Sequence, residues 1–310
     1  MECEIRAQAE LLPSLAERYR EAAQRTVGDL RPELVLLVAR GSSDNAAQYA
    51  RYLIEIGLGI PAILAAPSAI TRYGARPRYP RTLAIGISQS GAAPDVSEVL
   101  ATMRDLGHAT LAITNTADSR LSRSAEATLL LDVGEETAVA ATKTFSASLL
   151  ALFEVVRALG ATLPSAMLYD EAWTERCCAA AEETSGLIVR SAPTFALGRG
   201  YSFSIAQETA LKLMECALIP CKAYSAADFQ HGPKALAGPG SAALDFSGEV
   251  AGIAEQGCEV IAAPRPDGVA PEMLPLWQIV FGQWLALFAA RARGLDPDAP
   301  PHLSKVTRTL

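Results

Sequence analysis

The chain has 310 residues, half of them hydrophobic and a fifth charged, a balance that excludes disorder, collagen-like repetition and a coiled coil. Lys and Arg number 27 against 34 Asp and Glu, and a net charge of −7 excludes a duplex nucleic-acid partner, which needs a basic face. A small anion can still be held by a few local donors, and the length suits two domains of roughly 150 residues or one large one.

Residues 1–24 carry early acids and no apolar core of signal length, so they predict an amphipathic helix and neither a secretory nor a transit signal. Leu34–Ala39 is a continuous apolar run, the pattern of a strand buried on both faces. Arg40–Asn45 is a turn, and Ala46–Ile56 has helical periodicity. Strands are predicted at 61–65, 82–87, 110–114 and 128–131, with helices at 94–106 and 142–159. Strand and helix in alternation imply an α/β fold with a parallel sheet covered on both faces.

After a link at 160–169 and a helix at 171–190 the pattern restarts, with a strand at 194–197, a turn at 198–202 and a helix at 204–216. Arg40, Gly41, Ser43, Ala47 and Gln48 meet Arg199, Gly200, Ser202, Ala206 and Gln207 at an offset of 159 residues. The same strand–turn–helix context surrounds both copies, so one α/β unit is read as repeated. Strands are predicted at 242–246 and 259–263, with a short helix at 249–256 between them. Leu276–Ala290, interrupted by Gln278, Gly282 and Gln283, is shorter than a bilayer span and predicts a buried helix, so no membrane association is expected. None of the six cysteines forms a CxxC pair or stands at metal-ligand spacing from a histidine. They are read as reduced, mostly buried thiols of a cytoplasmic protein without a metal centre.

Four segments carry candidate chemistry. Ser88-Gln89-Ser90-Gly91 lies at the carboxyl end of a predicted strand and opens a helix, where hydroxyls, an amide and backbone N–H groups converge. That is either an anion site built without Lys or Arg, or a serine-capped turn. Gly41-Ser42-Ser43 occupies the equivalent place after the first strand. In the helix at 204–216, Glu208, Lys212 and Glu215 at i, i+4 and i+7 share one stripe. They are either a solvated face or a general base with a charge-setting lysine. His231, followed by Gly-Pro on an irregular loop, suits proton transfer at a sugar ring oxygen or is simply a loop histidine. Glu135–Lys143 leads from a strand end into a helix, and its backbone could line the same pocket.

Gly-Ser-Ser, Ser-Gln-Ser-Gly, Val-Ala-Ala-Thr-Lys, Glu-Thr-Ala-Leu-Lys-Leu-Met-Glu and His-Gly-Pro occur in this order, and together they resemble the double sugar-isomerase (SIS) domain proteins. The resemblance runs from about residue 30 to the C-terminus. It is strongest to the isomerase half of glutamine–fructose-6-phosphate aminotransferases (glucosamine-6-phosphate synthases) and to stand-alone SIS aminosugar-phosphate deaminases. It implies two SIS domains, at 30–160 and 191–293, each a five-stranded parallel sheet flanked by helices in three αβα layers. A helix at 1–29, a connecting helix at 161–190 and an active-site tail at 294–310 complete the layout.

The resemblance further implies a hexose 6-phosphate or aminohexose 6-phosphate substrate and no cofactor. Gly41, Ser42, Ser43, Ser88, Gln89, Ser90, Val139 and Ala141 would hold phosphate and sugar. Glu215 would move the proton between C1 and C2, with Lys212 and Glu208 in support. His231 would open the ring, reaching the site of a neighbouring subunit in a homodimer. Lys305, in His-Leu-Ser-Lys, matches the family lysine that can form a Schiff base with the open-chain ketose. The chain departs from the family where Ala92 and Ala93 replace Glu-Thr after Ser-Gln-Ser-Gly, and where Ala141 replaces a serine. Only residues 1–33 precede the first strand, so no glutaminase domain and no glutamine-dependent synthase reaction are expected. The expected reaction is aminosugar-phosphate deamination with isomerisation, most directly of glucosamine 6-phosphate. An isomerase of a tagatose-type or fructosamine-type 6-phosphate, or a non-catalytic sugar-phosphate sensor, are the alternatives.

Overall fold

Leu34–Val38 forms β1, buried at every residue, as a strand covered on both faces must be. The computed structural model describes residues 1–250 and 252–305. Their contacts group them into two units, one of Leu11–Glu136 and Lys143–Ala166, the other of Met1–Glu10, Thr137–Thr142 and Met167–Lys305. The division falls within helix α1 (Glu2–Val27).

In the first of these units β1 leads to α2 (Ser42–Gly57), β2 (Ala62–Leu64), a short α3 (Pro67–Thr71), β3 (Thr82–Ile87), α4 (Pro94–Asp105), β4 (Ala109–Thr114), a short α5 (Arg120–Ser124), β5 (Ala127–Leu130) and α6 (Lys143–Ala158). Among the described residues the sheet has five strands in the order β2-β1-β3-β4-β5, every pair parallel. One face of the sheet packs Leu36, Val38 and Ala84 against Val96, Leu100 and Met103 of α4. Helix α6, buried from Thr144 to Val156, packs on α2. The chain passes from β1 to β2 on one side and returns to β3 on the other, so the strand order reverses between β1 and β3.

The other unit holds α7 (Glu171–Arg190), β6 (Thr194–Gly198), α8 (Phe203–Ala217), β7 (Cys221–Ser225), a short α9 (Ala226–Phe229), β8 (Ala242–Asp245), β9 (Glu259–Ala262) and α10 (Leu274–Ala292). Its sheet is also all parallel, in the order β7-β6-β8-β9, the same winding as β2-β1-β3-β4. The echo is therefore structural. It extends to backbone conformation, because Gly41 and Gly200 hold φ of +55° and +56°, a region that L side chains rarely adopt.

Two expectations need correction here. The second sheet has four strands among the described residues, not five: Pro264 and Pro266 follow β9 at once, and neither can donate to a ladder. No helix forms among the described residues of 249–256. Asp245 takes the N–H groups of Ser247 and Gly248 in a tight turn, and Gly248, Gly252 and Gly257 hold positive φ, which breaks helical progression.

Helix α10 is buried along nearly its whole length and packs on α7 and α8. Its contact with α8 is close. A Cβ at Gly282 would stand 2.2 Å from Thr209 Oγ1, so a glycine is what lets the two helices meet there. The start of α1 covers another side of α10, with the Arg6 guanidinium 4.9 Å from the Trp284 ring centroid and Gln8 Nε2 donating to Gln283 Oε1 at 2.8 Å. No helix among the described residues is long and apolar enough to cross a membrane.

Candidate active site

The loops after β1 and β3 flank the point where the strand order reverses, the place where open parallel sheets bind ligands. Gly41 turns the chain into α2, and Ser42 and Ser43 open that helix at its partially positive end. In the second loop the Ser88 N–H still donates to Ile113 O, at 3.0 Å, and the Gly91 N–H closes a turn onto Ser88 O at 3.1 Å. The end of β4 fixes the middle of this loop: Gln89 O accepts from Asn115 N at 2.9 Å and from Thr114 Oγ1 at 3.2 Å. Gly91 O in turn accepts from Leu121 N at 3.0 Å. The side chains of Ser43, Ser88 and Gln89 are half-buried and make no hydrogen bond among the described residues, so their polar atoms are available to a ligand. Beside Ser90 and Gly91 lies a cavity of about 360 Å³, which Ala92, Pro94, Ser119 and Arg120 complete.

Thr114, Asn115 and Ser119 were not singled out from the sequence. Their only signal is a polar cluster at a strand end, which ordinary turns share. Asp95 was not singled out either; it pairs at 2.7 Å with Arg40, which the sequence marked only as part of the repeated turn. Ala93 has a legible consequence: as N-cap of α4 it offers no side-chain oxygen to the helix or to an anion.

Gly91 is the tightest point of the loop. It holds φ +61°, and an added Cβ would meet Ser119 Oγ at 2.2 Å and Ser119 Cβ at 2.3 Å. Gly91→Ala must therefore displace either the loop or the start of α5. If the loop holds the hexose 6-phosphate expected from the sequence, calorimetric titration with that ligand should show binding weakened about tenfold or more, equivalent to about 1.4 kcal/mol. Unfolding in urea should show about 1–3 kcal/mol of lost stability. Unchanged affinity would separate this loop from anion binding.

Glu208, Lys212 and Glu215 lie together on α8 in the other unit, and the structure overturns the reading of a solvated stripe. The Glu208 and Lys212 side chains are 0% exposed, and Glu215 is 26% exposed. Lys212 Nζ donates to Glu215 Oε2 at 2.6 Å and lies 3.2 Å from Glu208 Oε1. Burial pulls the Lys212 ammonium down, but the two carboxylates outweigh it, and the net shift is upward, so the lysine is a fixed cation. The trio thus presents one partly open carboxylate, Glu215, oriented by a buried cation that Glu208 balances.

In the same unit, Val139 and Ala141 are half-buried on the irregular segment Thr137–Thr142. The Glu4 carboxylate accepts from Thr137 N at 2.6 Å, Thr137 Oγ1 at 3.3 Å, Ala138 N at 3.3 Å and Thr142 Oγ1 at 3.0 Å. Lys305 Nζ donates to the Ala138 carbonyl, so the structure brings this predicted lysine to the segment that carries Val139. His231 is exposed, on the turn after α9, and its backbone N–H donates to Asp228 O. Residues 306–310 of the predicted tail lie outside the described residues. Among the described residues no group of His, Cys, Asp and Glu could hold a metal ion.

Comparison with known proteins places these features in a family. The SIS domain model matches residues 32–155 and 188–254. A glutamine–fructose-6-phosphate aminotransferase (isomerizing) of Methanothermobacter thermautotrophicus is 33% identical over 305 residues, covering 88% of this chain and 51% of that protein. The corresponding enzyme of Streptococcus pneumoniae serotype 4 is 29% identical, covering 97% of this chain and 57% of its own length. The chain thus spans about half the length of these curated relatives. Among solved structures, a candidate phosphosugar isomerase of Silicibacter pomeroyi DSS-3 superposes with a TM-score of 0.79 at 29% identity, over 95% of this chain and 98% of that one. The glucosamine-6-phosphate deaminase of Thermotoga maritima shares the fold, with a TM-score of 0.77 at 24% identity over 96% and 99% of the two chains. The family model covers over half of the chain, its first matched segment spanning β1 to β5 and its second β6 to β8. The chain belongs to the SIS domain family.

Proposed function

We propose that this protein is an aminosugar-phosphate deaminase and isomerase that converts glucosamine 6-phosphate and water to fructose 6-phosphate and ammonia. The observation that carries the reading is the Glu208–Lys212–Glu215 trio, an arrangement costly to bury and suited to holding a carboxylate for proton transfer. The names of the relatives, which pair fructose 6-phosphate chemistry with isomerisation, support it.

In this reading Gly41, Ser42, Ser43, Ser88, Gln89 and Ser90 bind the 6-phosphate by hydroxyl, amide and backbone N–H donors. Val139 and Ala141 contact the sugar. His231 moves the proton that opens the ring, exposing the C1 aldehyde, and in a homodimer it serves the site of the partner subunit. Glu215 takes the C2 proton and returns it to C1. With a proton also passing from the amine to O1, this converts the 2-amino aldose to the 2-imino 1-alcohol, and water at C2 then expels ammonia and leaves the ketose. Lys212 fixes the Glu215 carboxylate through the 2.6 Å hydrogen bond, and Glu208 neutralises its second flank. Lys305 would form a Schiff base with the ketone. The chemistry calls for acid–base groups and no redox step, so no cofactor or metal is assigned, and the cytoplasm is the assigned compartment. In this reading the chain carries two SIS domains, at 30–160 and 191–293, joined by the segment 161–190.

Incubation of the purified protein with glucosamine 6-phosphate, with ammonia and fructose 6-phosphate both measured, tests this directly. Absence of both products rejects the reading for that substrate. Ala93 and Ala141, which lack the hydroxyls of the family pattern, favour one second reading, an aldose–ketose isomerase for another 6-phosphate. Ketose formation without ammonia across a panel of hexose 6-phosphates would select it. Sugar-phosphate binding without any turnover would instead select a sensor.

A further inference from the structure

We infer that Glu4, on the first turn of α1, is a positioning residue for the sugar end of the substrate. The inference rests on the reading above, which gives Val139 and Ala141 sugar contacts. Those two positions lie on a segment, 137–142, with no regular secondary structure, so its polar backbone groups depend on partners from elsewhere. Glu4 supplies two of them, the N–H groups of Thr137 and Ala138, and also two threonine hydroxyls, across more than 130 residues of sequence. One oxygen takes the N–H groups of Thr137 and Ala138 and the Thr137 hydroxyl, and the other takes the Thr142 hydroxyl. The carboxylate thereby ties both ends of the segment, with Val139 and Ala141 held between the tied points.

The clamp has a second jaw. Val139 N donates to Asp298 O at 3.1 Å, and Lys305 Nζ donates to Ala138 O. Glu4 is 8% exposed, and the α-amino nitrogen of Met1 stands 3.7 Å from its second oxygen. A buried carboxylate that accepts four hydrogen bonds does not need substrate to hold its place. Its contribution is the fixed course of 137–142. Misplacement of such a segment by about 1 Å can cost about a hundredfold in rate.

The test compares Glu4→Ala, Glu4→Gln and Thr142→Val with the wild-type protein. Glu4→Ala is expected to lower kcat/KM for the hexose 6-phosphate about a hundredfold. Affinity for inorganic phosphate, which engages only the serine loops, should stay within about twofold. Glutamine keeps an oxygen for the Thr137 and Ala138 N–H groups, so Glu4→Gln should recover most of the loss, and Thr142→Val should fall between the two. Hydrogen–deuterium exchange should show Thr137 and Ala138 amides losing protection in Glu4→Ala, and less so in Glu4→Gln. If Glu4→Ala does not fold, Glu4→Gln and Thr142→Val carry the comparison.

Unchanged amide protection, unchanged kcat/KM, or a proportional loss of inorganic phosphate affinity would each overturn the role of Glu4. Failure of the wild-type protein to bind or turn over any hexose 6-phosphate would instead overturn the reading on which it rests, whatever the exchange data show for the clamp.

Discussion

Glu215→Gln should lose about 10²- to 10⁴-fold in kcat for release of ammonia from glucosamine 6-phosphate, the range that a positioned general base supplies. The substitution preserves shape, and its amide oxygen can still accept from Lys212 Nζ, which now reaches Glu215 Oε2 at 2.6 Å. What disappears is the capacity to take a proton from carbon. Affinity for the sugar phosphate should therefore stay within a few fold, because in the proposed reading the serine loops, not Glu215, hold its anionic end. Loss of deuterium from substrate labelled at C2 reads the same step without depending on hydrolysis of the imine. Turnover at the wild-type rate in Glu215→Gln would remove this residue from the mechanism, and equal losses in kcat and in phosphate affinity would indicate damage to the fold.

The second large effect is on stability. Lys212→Met leaves Glu208, fully buried, beside Glu215 with no cation between them. Removing one partner from a buried ionic group costs about 3–5 kcal/mol, because the remaining charge is uncompensated. The pH dependence has a definite sign. Burial lowers the lysine, the coulombic pull of Glu208 and Glu215 raises it further, and the folded-state value ends above the ordinary 10.5. A cation whose folded pKa exceeds its unfolded one stabilises fully below the unfolded value and loses that contribution as pH rises through the folded value. The stability gap between wild type and Lys212→Met, measured by urea unfolding, should persist as pH rises from neutral through mildly alkaline values and shrink only under strongly alkaline conditions. A gap that closes as pH rises from neutral to mildly alkaline would mean that the lysine is not held charged by the two carboxylates.

Most of the first sheet was legible because its strands are covered on both faces and read as apolar runs, Leu34–Val38 and Thr82–Ile87 being buried at every residue. The edge strand Cys221–Ser225 was not legible. It mixes Cys, Lys, Ala, Tyr and Ser, only its first residue is buried, and its pairing is set by β6 beside it rather than by its own pattern. The serine loops were legible as punctuation after strands. What holds the second of them, Thr114 at the end of β4, Asn115 just after it and Leu121 of α5, was not, since parallel neighbours in a sheet are separated by whole helices in sequence.

Sequence by itself determined the α/β class, the chain order of the apolar strands, the repeated Arg-Gly-x-Ser turn and the stripe formed by Glu208, Lys212 and Glu215, because each is written in local periodicity or in a residue's own conformational freedom. Only the tertiary structure decided that this stripe faces inward and that Glu4 reaches Thr137, Ala138 and Thr142. Burial is a property of the neighbours that cover a side chain, and a hydrogen bond between residues 133 apart leaves no period in either segment.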